Sequence, residues 1–162
     1  MPFNKSIHNR QSIRLKGFDY SQEGSYFITI CTHERQSLFG EIINEEMVLN
    51  QIGNLMNHQW LQIPARFKEI QLDAFVVMPN HIHGIIRIEE SLPGQSIGKI
   101  VGAFKSLAAN EYIKYCKEKG VPVEKLWQRN YYEHIIRDEE DYSRIVDYIE
   151  NNPMKWNEDQ YR

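Results

Sequence analysis

The sequence predicts an α+β fold of the ferredoxin-like βαββαβ type: an antiparallel sheet with helices on one face, plus an additional C-terminal helix that carries Tyr148. Three observations lead there. Strand-like and helix-like segments follow one another as strand, helix, strand, strand, helix, strand, helix. The stretch Met78–Ile88 (MPNHIHGIIRI) alternates in character with the period of a strand. Ile97–Glu118 repeats apolar residues with the period of a helix.

Each element has its own warrant. Ser25–Thr32 (SYFITICT) is β-branched and aromatic with few charges, the composition of a central strand. Gly40–Ile43 and Met47–Leu49 flank a short polar turn and predict a small hairpin. Gln51–Phe67 sets Ile52, Leu55, Met56, Trp60 and Ile63 at helical spacing. Ile70–Met78 and Ile82–Glu89 are two strands joined through the turn pair Pro79–Asn80. In Ile97–Glu118, residues Ile97, Ile100, Val101, Phe104, Leu107, Ala108, Tyr112 and Tyr115 share a face, and Gly120 stops the helix. Tyr131–Ile136 is the next strand. Asp138–Asn151 is the last helix, with Tyr142, Ile145, Val146 and Ile149 on one stripe, carboxylates in its first turn and Pro153 past its end. Helices on one face leave the other face of the sheet uncovered, and a substrate could lie on it.

With 162 residues and 41% apolar content, the chain predicts one domain over residues 1–162 with a core of its own. Residues 1–20 read as a basic arm, with Lys5, Arg10, Arg14 and Lys16 against Asp19. Two cysteines, Cys31 and Cys116, are no disulfide framework, so the expected compartment is the reducing cytoplasm. No apolar run approaches the roughly 20 residues that span a bilayer, and the opening segment has no secretory pattern, so no membrane partner is expected. The formal charge of −3 speaks against a generic polyanion binder. It is unevenly spread: residues 1–137 hold 16 basic and 14 acidic residues, whereas residues 138–162 hold three and eight. Weak non-specific affinity for duplex DNA is the narrower expectation.

The chemistry concentrates in two stretches. Residues two apart on a strand point to the same side, so His81 and His83 project together while Ile82, Gly84, Ile86 and Ile88 project oppositely. The apolar set suits the helix-packed face, which puts the histidines on the uncovered one, a strand in from an edge. Two imidazoles so placed are two ligands for a divalent metal; ordinary hydrogen-bonded histidines have the same spacing. A cupin would want a glutamate where Ile86 and Arg87 stand, and a metallo-β-lactamase an Asp-His where Gly84 and Ile85 stand. A structural zinc site lacks any Cys-x-x-Cys. In SRIVDYIENNP, Ser143–Pro153, Tyr148 and Asn152 lie four apart and so share a helix face, flanking the apolar stripe. Tyr148 offers a hydroxyl nucleophile and Asn152 an oxygen ligand; a rim tyrosine and a helix-end asparagine are the plain alternative.

Together these stretches resemble the single-tyrosine HUH transposases, and most closely the REP-associated tyrosine transposases. The triplet is His81-Ile82-His83, and the likeness extends through RQSIRLKGFDYSQEGSYFITICT, VVMPNHIHGII, LWQRNYYEHIIR and DYIENNP. The resemblance implies a metal-dependent nuclease and strand transferase that cleaves and rejoins single-stranded DNA near hairpins through a covalent 5′-phosphotyrosine. It matches Tyr148 to the nucleophile, His81 and His83 to ligands of Mg²⁺ or Mn²⁺, and Asn152 to the polar residue one turn on. Insertion-sequence relatives commonly carry glutamine at that last position, one methylene longer. They exchange the tyrosine helix as dimers, whereas REP-associated relatives can act as monomers, so either state is open. A metal-held phosphodiester suits that chemistry, and a phenol with an ordinary pKa near 10 is a poor nucleophile without a cation close by.

Arg10, Arg14, Lys16, Lys99, Lys105, Arg129 and Arg137 are candidates for contacts to DNA phosphates. Tyr131, Tyr132 and Trp127 are candidates for stacking on unpaired bases, and Gln128 and His134 for approaching the site. Two rival readings stand beside the transferase. One is a domesticated module that binds hairpin DNA without cutting it, which has no need of Tyr148. The other is a metal hydrolase of small molecules, which lacks an acidic general base on the histidine strand.

Overall fold

The structure, a computed structural model, describes residues 18–162. Its main sheet has four strands in the order β4-β5-β1-β6, formed by β1 (Gly24–Cys31), β4 (Ile70–Val77), β5 (His81–Ile88) and β6 (Tyr132–Ile136). All three pairings are antiparallel. β1 and β4 are the outer pair of a split βαβ unit with β5 between them, the ferredoxin-like topology. β2 (Gly40–Ile43) and β3 (Glu46–Leu49) form a separate hairpin. Its turn residues Asn44 and Glu45 have φ of 50° and 65°, the twist that a two-residue hairpin requires.

The helices are α1 (Gln51–Leu61), the single turn α2 (Ile63–Arg66), α3 (Ile97–Lys119) and α4 (Glu139–Glu150). The expected helix over 51–67 is broken after Leu61. Pro64 has no N–H to extend the ladder and sits at the start of α2 instead. Asn50, Ser96 and Asp138 cap α1, α3 and α4 with side-chain oxygens. Gly120, at φ 65°, closes α3 in the left-handed conformation.

One sheet face packs on α1 and α3. Tyr26, Ile28 and Ile30 of β1 and Ile82, Ile86 and Ile88 of β5 meet Met56, Trp60, Ile100, Val101 and Phe104 there. Gly84 is the place where strand and helix come closest, since an added Cβ would stand 2.3 Å from the Trp60 ring. Gly84→Ala therefore forces Trp60 from a fully buried position. We expect a loss of about 1–3 kcal/mol, measured by denaturant unfolding.

The other face is not open. α4 lies on it, with Ile145 and Ile149 buried against Ile85, and Phe27, Val76 and Val146 around them. Residues 151–162, including a short turn at Trp156–Glu158, continue over the same face. The expectation of an uncovered surface is thus corrected. The stripe on α4 needs an apolar partner, and Ile85 and Phe27, on the same face as the histidines, supply it. Cys31 and Cys116 are both buried and unpaired. Among the described residues, no helix is long and apolar enough to cross a membrane.

Candidate active site

The site starts from strand register. β1 and β5 run antiparallel with Thr29 opposite His83 and Cys31 opposite His81. Both imidazoles are fully buried, at 0% exposure, with ring centroids 4.4 Å apart. Each is oriented through Nδ1. The Thr29 hydroxyl holds His83 Nδ1 at 2.7 Å, and Asn80 Oδ1 holds His81 Nδ1 at 2.7 Å. The Asn80 amide nitrogen donates to the carbonyls of Arg35 and Tyr161, so its oxygen is the atom that faces His81. His81 Nδ1 therefore carries the proton and Nε2 presents a lone pair.

Three groups meet the two Nε2 nitrogens. Tyr148 OH lies 3.4 Å from His83 Nε2. Asn152 Oδ1 lies 3.4 Å from His81 Nε2, and Asp159 Oδ2 lies 3.5 Å from the same nitrogen. The packing of Ile145 and Ile149 sets the rotation of α4, and this turns Tyr148 toward the histidines. α4 ends at Glu150, so Asn152 reaches the site through a tight turn in which its N–H donates to Ile149 O at 3.3 Å. Asn152 is 3% exposed and Tyr148 37%. Phe27 packs edge-on against the Tyr148 ring at 6.1 Å and stacks on His83 at 5.4 Å.

Electrostatics follow from burial. Desolvation lowers His81 to a pKa of about 4, outweighing the nearby Asp159 carboxylate, which pulls the other way. Desolvation likewise lowers His83, and the neighbouring His81 adds to it. Both rings are neutral at pH 7, so the close approach of His81 and Asp159 is no ion pair. Burial first, and the Asp159 charge second, raise the Tyr148 phenol above its ordinary value. Lone pairs on Asn152 Oδ1 and Asp159 Oδ2 thus both face the lone pair on His81 Nε2. Asp159 Oδ2 is buried and has no hydrogen-bond partner among the described residues.

That donor set fits a divalent cation. The ligand atoms of His81, His83 and Asp159 lie within 4.8 Å of one another, close to the reach of one ion bonded to each at about 2.1 Å. His81, His83, Tyr148 and Asn152 were expected from the sequence and come together here. Asp159 was missed. A signal was present: Trp156 and Tyr161 make the last ten residues too aromatic for a solvated tail. Trp156 stacks on His81 at 6.1 Å, and the Tyr161 ring lies 5.2 Å from His81 and 5.4 Å from His83.

The candidate DNA contacts are scattered. Arg10, Arg14 and Lys16 lie outside the described residues. Lys99, Arg129 and Arg137 are exposed. Lys105 is half-buried, and its ammonium donates to the carbonyls of Gln128 at 2.7 Å and Arg129 at 3.1 Å, which ties α3 to that loop. Trp127 is a core residue packed on Phe39 and Phe104, and Gln128 N–H bonds to Cys31 O at the end of β1. His134 pairs with Asp141 at 2.7 Å. Tyr132 is 43% exposed and flanks Tyr161 at 5.8 Å.

Comparison with known proteins shows what this chain is similar to. An uncharacterized protein of Haemophilus influenzae is 44% identical, in a match covering 98% of this chain and 96% of that one. The REP-associated tyrosine transposase of Escherichia coli is 26% identical, over 84% of this chain and 70% of its own. A solved REP-associated tyrosine transposase bound to a REP hairpin shares the fold, with a TM-score of 0.63 and 22% identity over 91% of this chain and 74% of that one. Residues 20–152, from the turn before β1 to Asn152, match the family described as "Transposase IS200 like". On that match, which takes in both histidines and Tyr148, the chain belongs to the IS200-like transposase family.

Proposed function

We propose that this protein is a metal-dependent, HUH-type single-stranded DNA endonuclease and strand transferase that works near hairpins through a 5′-phosphotyrosine on Tyr148. The observation that supports this best is the Tyr148 hydroxyl at 3.4 Å from His83 Nε2 within one chain. A Mg²⁺ or Mn²⁺ ion, when bound, polarises a phosphodiester and favours ionisation of a nearby phenol. His81 and His83 would hold that ion through Nε2, kept in place by Asn80 and Thr29, with Asn152 Oδ1 beside them. Tyr148 is partly exposed and so open to DNA. Its oxygen bonds to phosphorus, the P–O3′ bond breaks, and the phenolic proton lost is matched by one gained at the released 3′-hydroxyl. Attack on the phosphotyrosine by a 3′-hydroxyl of a second strand runs the same step in reverse and joins the strands. The raised phenol makes the reaction metal-dependent, because burial and the Asp159 charge outweigh the hydrogen bonds from Asn152 and Gln160 that favour its ionised form.

Hairpin DNA as the partner is supported by family membership and by the REP hairpin that the solved relative holds. One copy supplies both histidines and the tyrosine, which favours a monomer as the working unit. A cytoplasmic location accords with DNA as substrate. The test is a hairpin oligonucleotide with single-stranded flanks. Mn²⁺ or Mg²⁺ should give a denaturant-resistant protein–DNA adduct, and EDTA should abolish it. Tight hairpin binding that is the same in EDTA and in Mn²⁺, with no adduct in either, would instead identify a binding module.

A further inference from the structure

The C-terminal segment lies beyond the part of the chain that matches the family, yet it brings the only carboxylate of the described residues into the histidine cluster. Asp159 has its side chain 1% exposed. Oδ1 accepts from Tyr161 N–H at 2.8 Å, whereas Oδ2, aimed at His81 Nε2, has no donor among the described residues. A carboxylate oxygen taken out of water with no donor is strongly disfavoured unless a cation compensates it. Among the described residues no donor does so, and the nitrogen that Oδ2 approaches, His81 Nε2, is itself an acceptor.

The segment is also held in place on purpose-built contacts. Asn80 bonds His81 Nδ1 through its oxygen at 2.7 Å and the Tyr161 carbonyl through its nitrogen at 2.7 Å. One side chain therefore orients a histidine and anchors the residues that carry Asp159. Arg35 adds a bond to the Gln160 carbonyl at 3.0 Å. Charge points the same way. Two neutral imidazoles and the amide of Asn152 carry no formal charge, and Mg²⁺ and Mn²⁺ favour anionic oxygen.

We propose that Asp159 is a direct ligand of the cation, so that His81, His83 and Asp159 form the protein side of the metal site and residues 156–162 are a working part of it. This rests on the metal-dependent reading above. In the metal-bound protein Oδ2 bonds the ion, Oδ1 keeps its bond to the Tyr161 N–H, and the ion's remaining positions stay open to a phosphate.

The test is Mn²⁺ binding to the full chain without DNA, followed by electron paramagnetic resonance titration and by the Mn²⁺-induced rise in Tm. Each variant is read against its own metal-free Tm. Wild type should bind one ion and His81→Ala none. Asp159→Asn should bind at least about tenfold more weakly, the smaller end of what even outer-sphere changes cost a metal site, and its Mn²⁺-induced rise in Tm should shrink accordingly. Asp159→Ala, which shortens the side chain rather than recharging it, is read the same way. Wild-type affinity in both Asp159 variants, with binding lost in His81→Ala, would overturn the assignment and leave the metal site standing. No Mn²⁺ binding by wild type would overturn both.

Discussion

Tyr148→Phe is expected to abolish the covalent protein–DNA adduct while leaving the protein folded. The substitution removes one oxygen and keeps the ring, whose edge-on packing against Phe27 and His83 is unchanged in kind. The lost contact to His83 Nε2 is long, at 3.4 Å, and the ring is partly exposed, so stability should change by less than about 1 kcal/mol. Adduct formation should fall at least about a thousandfold, because no neighbouring group can replace a covalent nucleophile. Denaturing gels with a labelled hairpin read the adduct against time, and denaturant unfolding reads the stability. Tyr161 is the sharpest internal competitor, since its ring lies 5.2 Å from His81 and 5.4 Å from His83. Burial raises its phenol to about 12, and the Cys31 and Tyr148 groups push in the same direction. It is the poorer nucleophile at neutral pH. Adduct that persists in Tyr148→Phe and disappears in Tyr161→Phe would reassign the role.

The second large effect is acid instability of the metal-free protein. His81 has a folded pKa of about 4 against an ordinary value of 6.5, so between those values the unfolded chain binds a proton that the folded chain refuses. Stability is then complete above about pH 6.5 and falls as pH drops toward 4. His81 alone withdraws on the order of 3 kcal/mol over that window, and it is fully buried, so solvent does not screen the effect. His83 is lowered too, by burial and by the neighbouring His81, and adds to the loss in the same direction. Equilibrium unfolding in EDTA from pH 7.5 to 4.5 should show this slope, and His81→Gln should flatten it. A wild-type curve that is flat across that range would contradict the neutral, buried pair. The same neutrality has a use at pH 7. A cation entering the site displaces no proton from either ring, so its affinity should vary little near neutrality.

The core of this fold is legible because period and position carry the information. Ile82, Ile86 and Ile88 against His81 and His83 is a strand alternation, and it assigns both faces of β5 correctly. Gly84 fits the same reading: a glycine inside an apolar strand marks a close approach, here that of Trp60. What the alternation cannot say is what covers each face. The stripe on α4 shows that the helix buries one side, but its partner, Ile85 with Phe27, depends on tertiary packing. The joint between α1 and α2 was hidden because Ile63 continues the apolar spacing across the break that Pro64 imposes. Asp159 was the hardest to see. Residues 153–162 have no periodicity, and their position is set by single long-range bonds such as Asn80 to the Tyr161 carbonyl and Arg35 to the Gln160 carbonyl. An aspartate there looks like any solvated carboxylate until those bonds are known.

The most direct measurement is the identity of the residue that carries the DNA. Wild-type protein is incubated with the hairpin oligonucleotide and Mn²⁺, the adduct is digested with protease and nuclease, and the modified peptide is mapped by mass spectrometry. The account predicts a nucleotide joined through its 5′-phosphate to Tyr148, and to no other tyrosine. A nucleotide on Tyr161 or Tyr132, or cleaved DNA with no protein attached, would contradict it.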